Sequence, residues 1–140
     1  MGVEMLIEGL QAALAQGPSG VVSVYLFGSH AEGREHRQSD VDVGVLLDHA
    51  SYPTADSRFE ARLDLIRRLA GVVPGAETDV VVLNDVPPGL ARRIVLDGQR
   101  VSCSDEKLDH GFRRDAQLRA ADLEPFLRRA RLRKLAALAR

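Results

Sequence analysis

The sequence predicts one domain of the α+β class, in which a small mixed β-sheet is flanked by helices and followed by a C-terminal helical extension. Three observations support this class. Apolar segments with helical and with strand periodicity alternate along the chain, no internal repeat or low-complexity linker divides it, and its 140 residues suffice for one core but not for two. We assign residues 1–104 to the main body of the domain and residues 105–140 to the C-terminal helical extension of the same domain.

The first elements follow from local patterns. Apolar residues at helical spacing predict a helix over residues 3–16, which Gly17-Pro18 ends. The β-branched and aromatic segments 21–27 and 41–47 predict two strands that are joined by a polar, glycine-containing loop. A second helix is predicted over residues 56–70, with Asp56 as its N-cap and Gly71 as its end. Its apolar face is predicted to consist of Phe59, Leu63, Ile66 and Leu69.

The second half of the chain continues the alternation. The segment 78–83 predicts a third strand, residues 89–97 a short helix that ends at Gly98, and residues 100–103 an edge strand. From Asp105 onwards the apolar residues are spaced for a helix that runs to the end. Pro125 interrupts this pattern, so we expect either a kink or two helices that meet there.

The composition excludes several classes of function. The formal net charge of −1 gives no reason to expect direct binding of nucleic acid. The single cysteine, Cys103, excludes an internal disulfide and a cysteine-based zinc site, and it fits a reducing compartment. The N-terminus lacks a secretory signal pattern, and no apolar run approaches membrane-spanning length. We therefore expect a small cytoplasmic protein with no membrane partner.

Two carboxylates stand at the start of the second predicted strand. Asp40 and Asp42 are two residues apart, so both side chains project from the same face, with Cα atoms roughly 6.5–7 Å apart. Such a pair is repulsive unless a cation lies between its members, and magnesium prefers carboxylate, phosphate and water oxygens as ligands. The pair therefore predicts a site for a divalent metal.

A third carboxylate, Asp79, opens the third predicted strand in the same manner. If the second and third strands are neighbours, two metal ions about 3.5–4 Å apart would be shared among Asp40, Asp42 and Asp79. That arrangement suits in-line phosphoryl or nucleotidyl transfer, in which the attacking and leaving oxygens both need neutralising. Asp79 would be the group best placed to help deprotonate the attacking hydroxyl.

Gly28-Ser29 follows the first predicted strand directly. Glycine lets the backbone approach a phosphate closely, and the Ser29 hydroxyl can donate to a terminal phosphate oxygen. Each of these signals is common when it occurs alone. The combination of strand, Gly-Ser, ten-residue spacer, Asp-x-Asp in a strand, helix and Asp-bearing strand is far more demanding, and it predicts a nucleotide-binding site.

Residues 26–33 and 39–45 resemble the signature of the polymerase-beta-like nucleotidyltransferase superfamily, and within it the minimal nucleotidyltransferase (MNT) group. Residues 78–91, with Gly98 after them, resemble the third-acid region of the same group, and residues 113–127 resemble the helix that follows it. The resemblance covers nearly the whole chain and implies the nucleotidyltransferase fold.

The resemblance also implies an activity. Members of this kind are MntA-type antitoxins paired with a HEPN-domain RNase toxin (HepT). They use ATP and magnesium to transfer AMP, sometimes several units in succession, onto a tyrosine of the toxin, which silences it. Carried over by position, Asp40 and Asp42 would bind metal, Asp79 would complete the acidic triad around two magnesium ions, and Gly28-Ser29 would hold the triphosphate.

One residue departs from the family pattern. Many relatives have arginine where this chain has Glu32. If that arginine assists the nucleotide phosphates, Glu32 cannot, so we expect either reduced activity or the use of another basic residue, Arg34 or Arg37.

Two alternatives stay open from the sequence. One is a transferase that acts on a small molecule such as an antibiotic, although such enzymes usually carry an additional substrate domain. The other is a non-catalytic antitoxin that acts by binding alone. Residues 113–140 carry nine basic and three acidic side chains, which are either the solvated face of a helix whose leucines pack inward or a docking surface for the partner.

Overall fold

The computed structural model describes residues 2–28 and 40–139. Within these ranges a short 3-10 turn, Leu83–Asp85, follows the third strand, and the remaining elements alternate as expected. The mixed α+β class with a C-terminal helix is confirmed. In chain order the elements are α1 (Val3–Leu14), β1 (Val21–Phe27), β2 (Val41–Leu47), α2 (Ala55–Leu69), β3 (Thr78–Val82), α3 (Pro88–Asp97), β4 (Gln99–Cys103) and α4 (Glu106–Leu138).

The sheet has the strand order β3-β2-β1-β4. β1 pairs antiparallel with β2 and with β4, whereas β2 pairs in parallel with β3. A parallel pair needs a crossover connection, which α2 supplies. β2 and β3 are therefore neighbours, as the candidate metal site requires, and β4 lies at an edge as predicted.

Both faces of the sheet are covered by helices. α1 and α2 pack on one face, where they bury a row of leucines against the valines of the strands. α3 packs on the other face, and the Ile94 and Val95 side chains join Tyr25 and Leu46 there. The residues of α1 and α2 that this packing buries to 2% exposure or less are Leu6, Leu10, Leu65 and Leu69.

Gly44 allows α3 to lie close to β2. A Cβ atom at this position would come within 2.9 Å of Ile94 Cγ2, a distance that a real side chain does not tolerate. Because side chains alternate along a strand, Asp42 lies on the same face of β2 as Gly44. α3 therefore borders the part of the sheet on which the candidate carboxylate lies.

The predicted N-cap of α2 is wrong. Thr54 caps the helix, and its hydroxyl accepts a hydrogen bond from the Ser57 N–H at 3.0 Å. The Ser57 hydroxyl accepts in turn from the Thr54 N–H at 3.1 Å. This reciprocal capping box satisfies two backbone donors, which Asp56, already inside the helix, does not do.

The predicted apolar face of α2 is also partly wrong. The buried residues are Ala61, Leu65 and Leu69, at a spacing of four. Phe59 and Leu63 are 54% and 42% exposed. The small Ala61 faces the core, so the helix is turned relative to the prediction, and the Phe59 ring is left at the surface.

A buried polar network joins β1, β4 and α4. The Tyr25 hydroxyl donates to Asp109 Oδ1 at 2.6 Å, and Arg100 Nη1 donates to Asp109 Oδ2 at 3.1 Å. Arg100 also binds both carboxylate oxygens of Glu106, and Arg113 Nη1 donates to the Tyr25 oxygen at 3.1 Å. Burial favours the neutral form of Asp109, but the hydrogen bonds from Tyr25 and Arg100 outweigh it and hold the pKa of this carboxyl below its usual range.

α4 is a single helix of 33 residues, so the alternative of two helices that meet at Pro125 is wrong. Proline cannot donate to the carbonyl of Ala121, and its ring crowds that carbonyl. Both residues are exposed, however, so water can satisfy the freed carbonyl and the helix continues.

The leucines of the second half of α4 do not pack inward. A helix of this length spans about 50 Å, whereas a seven-residue strand spans about 23 Å, so α4 is longer than the sheet on which it begins. The large apolar side chains of α4 that are more than 40% exposed are Leu108, Leu118, Leu123, Phe126, Leu127, Leu132, Leu135 and Leu138.

Among the described residues, no helix is both long and apolar enough to cross a membrane.

Candidate functional site

The candidate site lies at the end of the sheet where β1 finishes and where β2 and β3 begin. Phe27 of β1 is the register partner of Asp42 on β2, and Asp42 is the register partner of Asp79 on β3. Adjacent strands lie about 4.8 Å apart, and register partners project from the same face of a sheet. The structure therefore brings Asp42 and Asp79 side by side.

Asp40 lies directly before β2 and is exposed. The next residue, Val41, donates its N–H to the Glu77 carbonyl at 2.8 Å, which ties the start of β2 to the segment that leads into β3. Asp40 is thereby held at the same end of the sheet as Asp79, which is also exposed. Solvent and ions can reach both carboxylates.

Gly28 packs directly against the carboxylate of Asp42. Its φ angle is +78°, in the left-handed region that favours glycine. A Cβ atom at this position would overlap Asp42 Oδ2. Both the backbone conformation and the close approach therefore require glycine here.

Arg62 of α2 reaches across to β3 from the side away from β2. Its Nε donates to the Val80 carbonyl at 2.6 Å, and its Nη2 lies 3.6 Å from Asp79 Oδ1. The hydrogen bond to the Val80 carbonyl anchors the Arg62 guanidinium, which lies near the Asp79 carboxylate on the side of β3 away from β2. No sequence pattern indicates this contact, because a single arginine on an amphipathic helix is typical of ordinary surface charge.

Two clefts flank the acidic residues. The one on the β1 side, which we call the α3 cleft, has a volume of about 330 Å³ and is lined by Phe27, Gly28, Leu90, Arg93, Ile94, Asp97 and Gly98. The one on the β3 side, which we call the α2 cleft, has a volume of about 610 Å³ and is lined by Ala55, Asp56, Phe59, Arg62, Asp79, Val80, Val81, Val82, Asp85 and Val86. Each cleft combines a strand with a helix from elsewhere in the chain, so the sequence pattern did not indicate either of them.

A second cluster of ligand-type side chains is structural. Cys103, Glu106 and Asp109 are the one set of three potential metal ligands, in the part of the chain that the structure describes, whose ligand atoms all lie within 4.8 Å of one another. Both carboxylates already accept hydrogen bonds from Arg100, and burial raises the pKa of the Cys103 thiol. This group therefore anchors α4 to β4. The candidate carboxylates at the other end of the sheet are more widely spaced.

Several predicted residues lie outside the described residues. They include Ser29, the predicted hydroxyl donor to the phosphates, and Glu32 with its proposed substitutes Arg34 and Arg37. Their roles stay predictions from the sequence.

The family model described as "Polymerase beta, Nucleotidyltransferase" matches residues 9–107. This segment contains the four strands found among the described residues and every candidate site residue. It begins inside α1 and ends at the start of α4.

A curated relative is the protein adenylyltransferase MntA of Shewanella oneidensis. It is 33% identical over 78 residues, which are 56% of this chain and 51% of the relative. The match therefore spans about half the length of that protein.

Two solved structures have the same fold. One is a crystal structure of a toxin–antitoxin with AMP-PNP, which matches with a TM-score of 0.68 and 22% identity over 96% of this chain and 98% of the other. Another is the tri-AMPylated Shewanella oneidensis HEPN toxin in complex with its MNT antitoxin, with a TM-score of 0.60 and 18% identity over 99% of both chains. The predicted nucleotidyltransferase fold is confirmed.

Proposed function

The chain belongs to the polymerase beta nucleotidyltransferase family, and from that premise we propose that it is a magnesium-dependent protein adenylyltransferase with the role of an antitoxin. It transfers AMP from ATP to a tyrosine of a cognate HEPN-domain RNase toxin and so silences the toxin. One observation carries this proposal: the strand register places Asp42 beside Asp79 and beside the end of β1, where Gly28 abuts the Asp42 carboxylate. The similarity to a protein adenylyltransferase supports the proposed reaction.

Asp40, Asp42 and Asp79 are the proposed magnesium ligands. The fit rests on their chemistry and placement, since all three are carboxylates, two of them exposed, and a cation would relieve the repulsion between neighbouring acids. Bound magnesium would supply positive charge to the phosphates as charge develops on them. The part of this chain is to hold its carboxylates at one edge, where Arg62 fixes Asp79 and Gly28 abuts Asp42.

In the proposed reaction the tyrosine oxygen attacks the α-phosphorus of ATP. The bond between that oxygen and the phosphorus forms, the bond from the α-phosphorus to the bridging α–β oxygen breaks, and pyrophosphate leaves. The tyrosine proton passes to Asp79, which stands at the edge of the acidic site and is open to solvent.

ATP is proposed to bind in the α3 cleft. This cleft contains Gly28, which abuts the Asp42 carboxylate and so places the cleft next to the acidic site, and Arg93, whose guanidinium can pair with phosphate oxygens. Arg93 would supply a positive charge that Glu32 cannot. Ser29 remains the proposed hydroxyl donor of the same site.

Substitution of Gly28 by alanine is expected to lower the rate of AMP transfer at least about a hundredfold, because a Cβ atom would displace the Asp42 carboxylate. The left-handed backbone of Gly28 adds a strain of about 1–2 kcal/mol, which urea unfolding should reveal as a loss of stability. The measurement is the initial rate of label transfer from ATP to the partner.

Gly75→Ala is the matched control for this variant. Gly75 has a φ angle of +83°, but a Cβ atom there would have no neighbouring atom within 4 Å. The Gly75→Ala variant should therefore lose stability through backbone strain but keep the wild-type rate of AMP transfer. Equal rates of AMP transfer for Gly28→Ala and wild type would contradict the assignment of Gly28 to the site.

The proposed reaction is tested with ATP that carries its label on either the α- or the γ-phosphate. Purified chain, magnesium and the cognate HEPN-domain toxin should give a toxin that retains the α-label and not the γ-label. Retention of the γ-label would indicate phosphoryl transfer instead. Neutralisation of the toxin without any label would favour the non-catalytic alternative.

A further inference from the structure

We propose that the α2 cleft is the acceptor site, in which Phe59 packs against the ring of the tyrosine to be modified while the tyrosine hydroxyl faces Asp79. This inference rests on the proposed function and deepens it, because it assigns the two substrates to different sides of the acidic residues. Four features of the cleft support it.

The order of the strands separates the two substrates. β2 lies between β1 and β3, so Asp42 lies between Gly28 on one side and Asp79 on the other. In an in-line transfer the attacking oxygen approaches the phosphorus from the side opposite to the leaving oxygen. A nucleotide bound beside Gly28 therefore leaves the Asp79 side, where the α2 cleft opens, to the attacking hydroxyl.

The negative charge of the α2 cleft favours the same assignment. The α2 cleft has three carboxylates on its wall, Asp56, Asp79 and Asp85, against the single guanidinium of Arg62. Asp85 is paired with Arg58 at 3.0 Å, and Arg62 lies near Asp79. An ATP triphosphate would be repelled by this surface, whereas a neutral tyrosine would not.

The walls of the α2 cleft also suit the two ends of a tyrosine side chain. Val81 and Val86 offer apolar surface, and the Phe59 ring stands at the cleft with 54% of its surface exposed. Aromatic rings pack favourably on one another, while a phenolic hydroxyl needs a polar partner when it is buried. Asp79 is an acceptor on the wall of the cleft that can serve that hydroxyl.

The cleft is held in place from both of its sides. α2 is fixed by its buried leucines and its capping box, and Arg62 joins it to β3 through the Val80 carbonyl. The rotation of α2 that brings Ala61 to the core is also what leaves Phe59 at the cleft. The backbone of α2 at Phe59 is thus held next to β3 before any partner binds.

Phe59→Ala is the variant that tests the acceptor site, with Leu63→Ala as its control. Leu63 is an exposed apolar residue one turn further along the same helix, and it is not part of the cleft wall. We expect Phe59→Ala to raise the KM for the toxin about tenfold and to leave the affinity for a non-hydrolysable ATP analogue unchanged. Leu63→Ala should change neither quantity. A wild-type KM for Phe59→Ala, or a weaker affinity for the ATP analogue, would overturn the assignment.

A crosslinking experiment tests the contact independently of any transfer. A photoreactive benzoylphenylalanine in place of Phe59 should crosslink to the toxin segment that carries the acceptor tyrosine, whereas the same residue in place of the exposed Leu96 on α3 should not. Crosslinks from position 59 to other parts of the toxin only, or no crosslinks to a toxin that is bound, would contradict the proposal. If the variant with benzoylphenylalanine at position 59 crosslinks here but the wild-type chain never transfers AMP, the proposed function fails while the docking site stands.

Discussion

Replacement of both Asp40 and Asp42 by asparagine is expected to lower the rate of AMP transfer at least about a thousandfold. Each substitution removes a negative charge from a proposed metal ligand, and the charge stabilisation that metal ions supply to a transferring phosphoryl group is worth several kcal/mol. The measurement is single-turnover transfer of labelled AMP to the toxin at saturating ATP. Normal transfer by the double variant would show that these carboxylates do not hold the metal.

The fold of this double variant should be intact. Asp40 is exposed, and Asp42 lies beside another carboxylate, so the loss of two like charges should change the free energy of unfolding by no more than about 1 kcal/mol. Glu8→Gln, which makes the same chemical change at an exposed position on α1, is the control for transfer. A collapse of stability in the double variant would make its loss of activity uninformative, and Asp79→Asn would then replace it.

The second large effect concerns stability. Asp109→Ala is expected to lower the free energy of unfolding by about 3 kcal/mol, because it leaves the Tyr25 hydroxyl and the Arg100 guanidinium without their buried partner. Asp115→Ala, on the exposed side of the same helix, should cost less than about 0.5 kcal/mol. Urea unfolding of the three proteins at neutral pH measures both values, and equal stability of all three would contradict the account of how α4 is attached.

The contribution of Asp109 should also depend on pH. Its pKa in the folded state lies below the unfolded value of 3.8, so the folded state favours the ionised form. Its stabilisation is therefore fully present above about pH 4 and is lost as the pH falls through the folded pKa. The difference in unfolding free energy between wild type and Asp109→Asn should shrink over that acidic range. A difference that stays constant from pH 6 down to about pH 3 would contradict this.

The sequence predicted most of the elements, because their signals are local. β1 and β2 have the predicted bounds, and the strands that carry Asp42 and Asp79 are adjacent, as the proposed metal site requires. Hydrophobic periodicity and turn residues reflect the backbone geometry near each position. That local information was enough to predict the strands that carry Asp42 and Asp79. The limits 1–104 and 105–140 stay a prediction, although Asp109 and Ala116 of α4 are buried.

The features that the sequence did not predict depend on contacts between distant segments. The rotation of α2, which places Phe59 at a cleft, is decided by how Ala61 meets the sheet. The contact of Arg62 with Val80 and Asp79 arises from the same packing. Leucines at helical spacing likewise had opposite outcomes in two helices, since Leu65 of α2 is buried and Leu132 of α4 is 58% exposed. Such outcomes require the positions of the neighbouring elements.

The intact mass of the toxin tests the central claim most directly. The cognate HEPN-domain toxin would be purified from cells that co-express it with this chain or with the Asp40→Asn, Asp42→Asn double variant. We predict a mass increased by whole AMP units and a loss of RNase activity with the wild-type chain, and an unmodified, active RNase with the variant. A toxin of unmodified mass whose RNase activity is nevertheless suppressed by the wild-type chain would contradict the account.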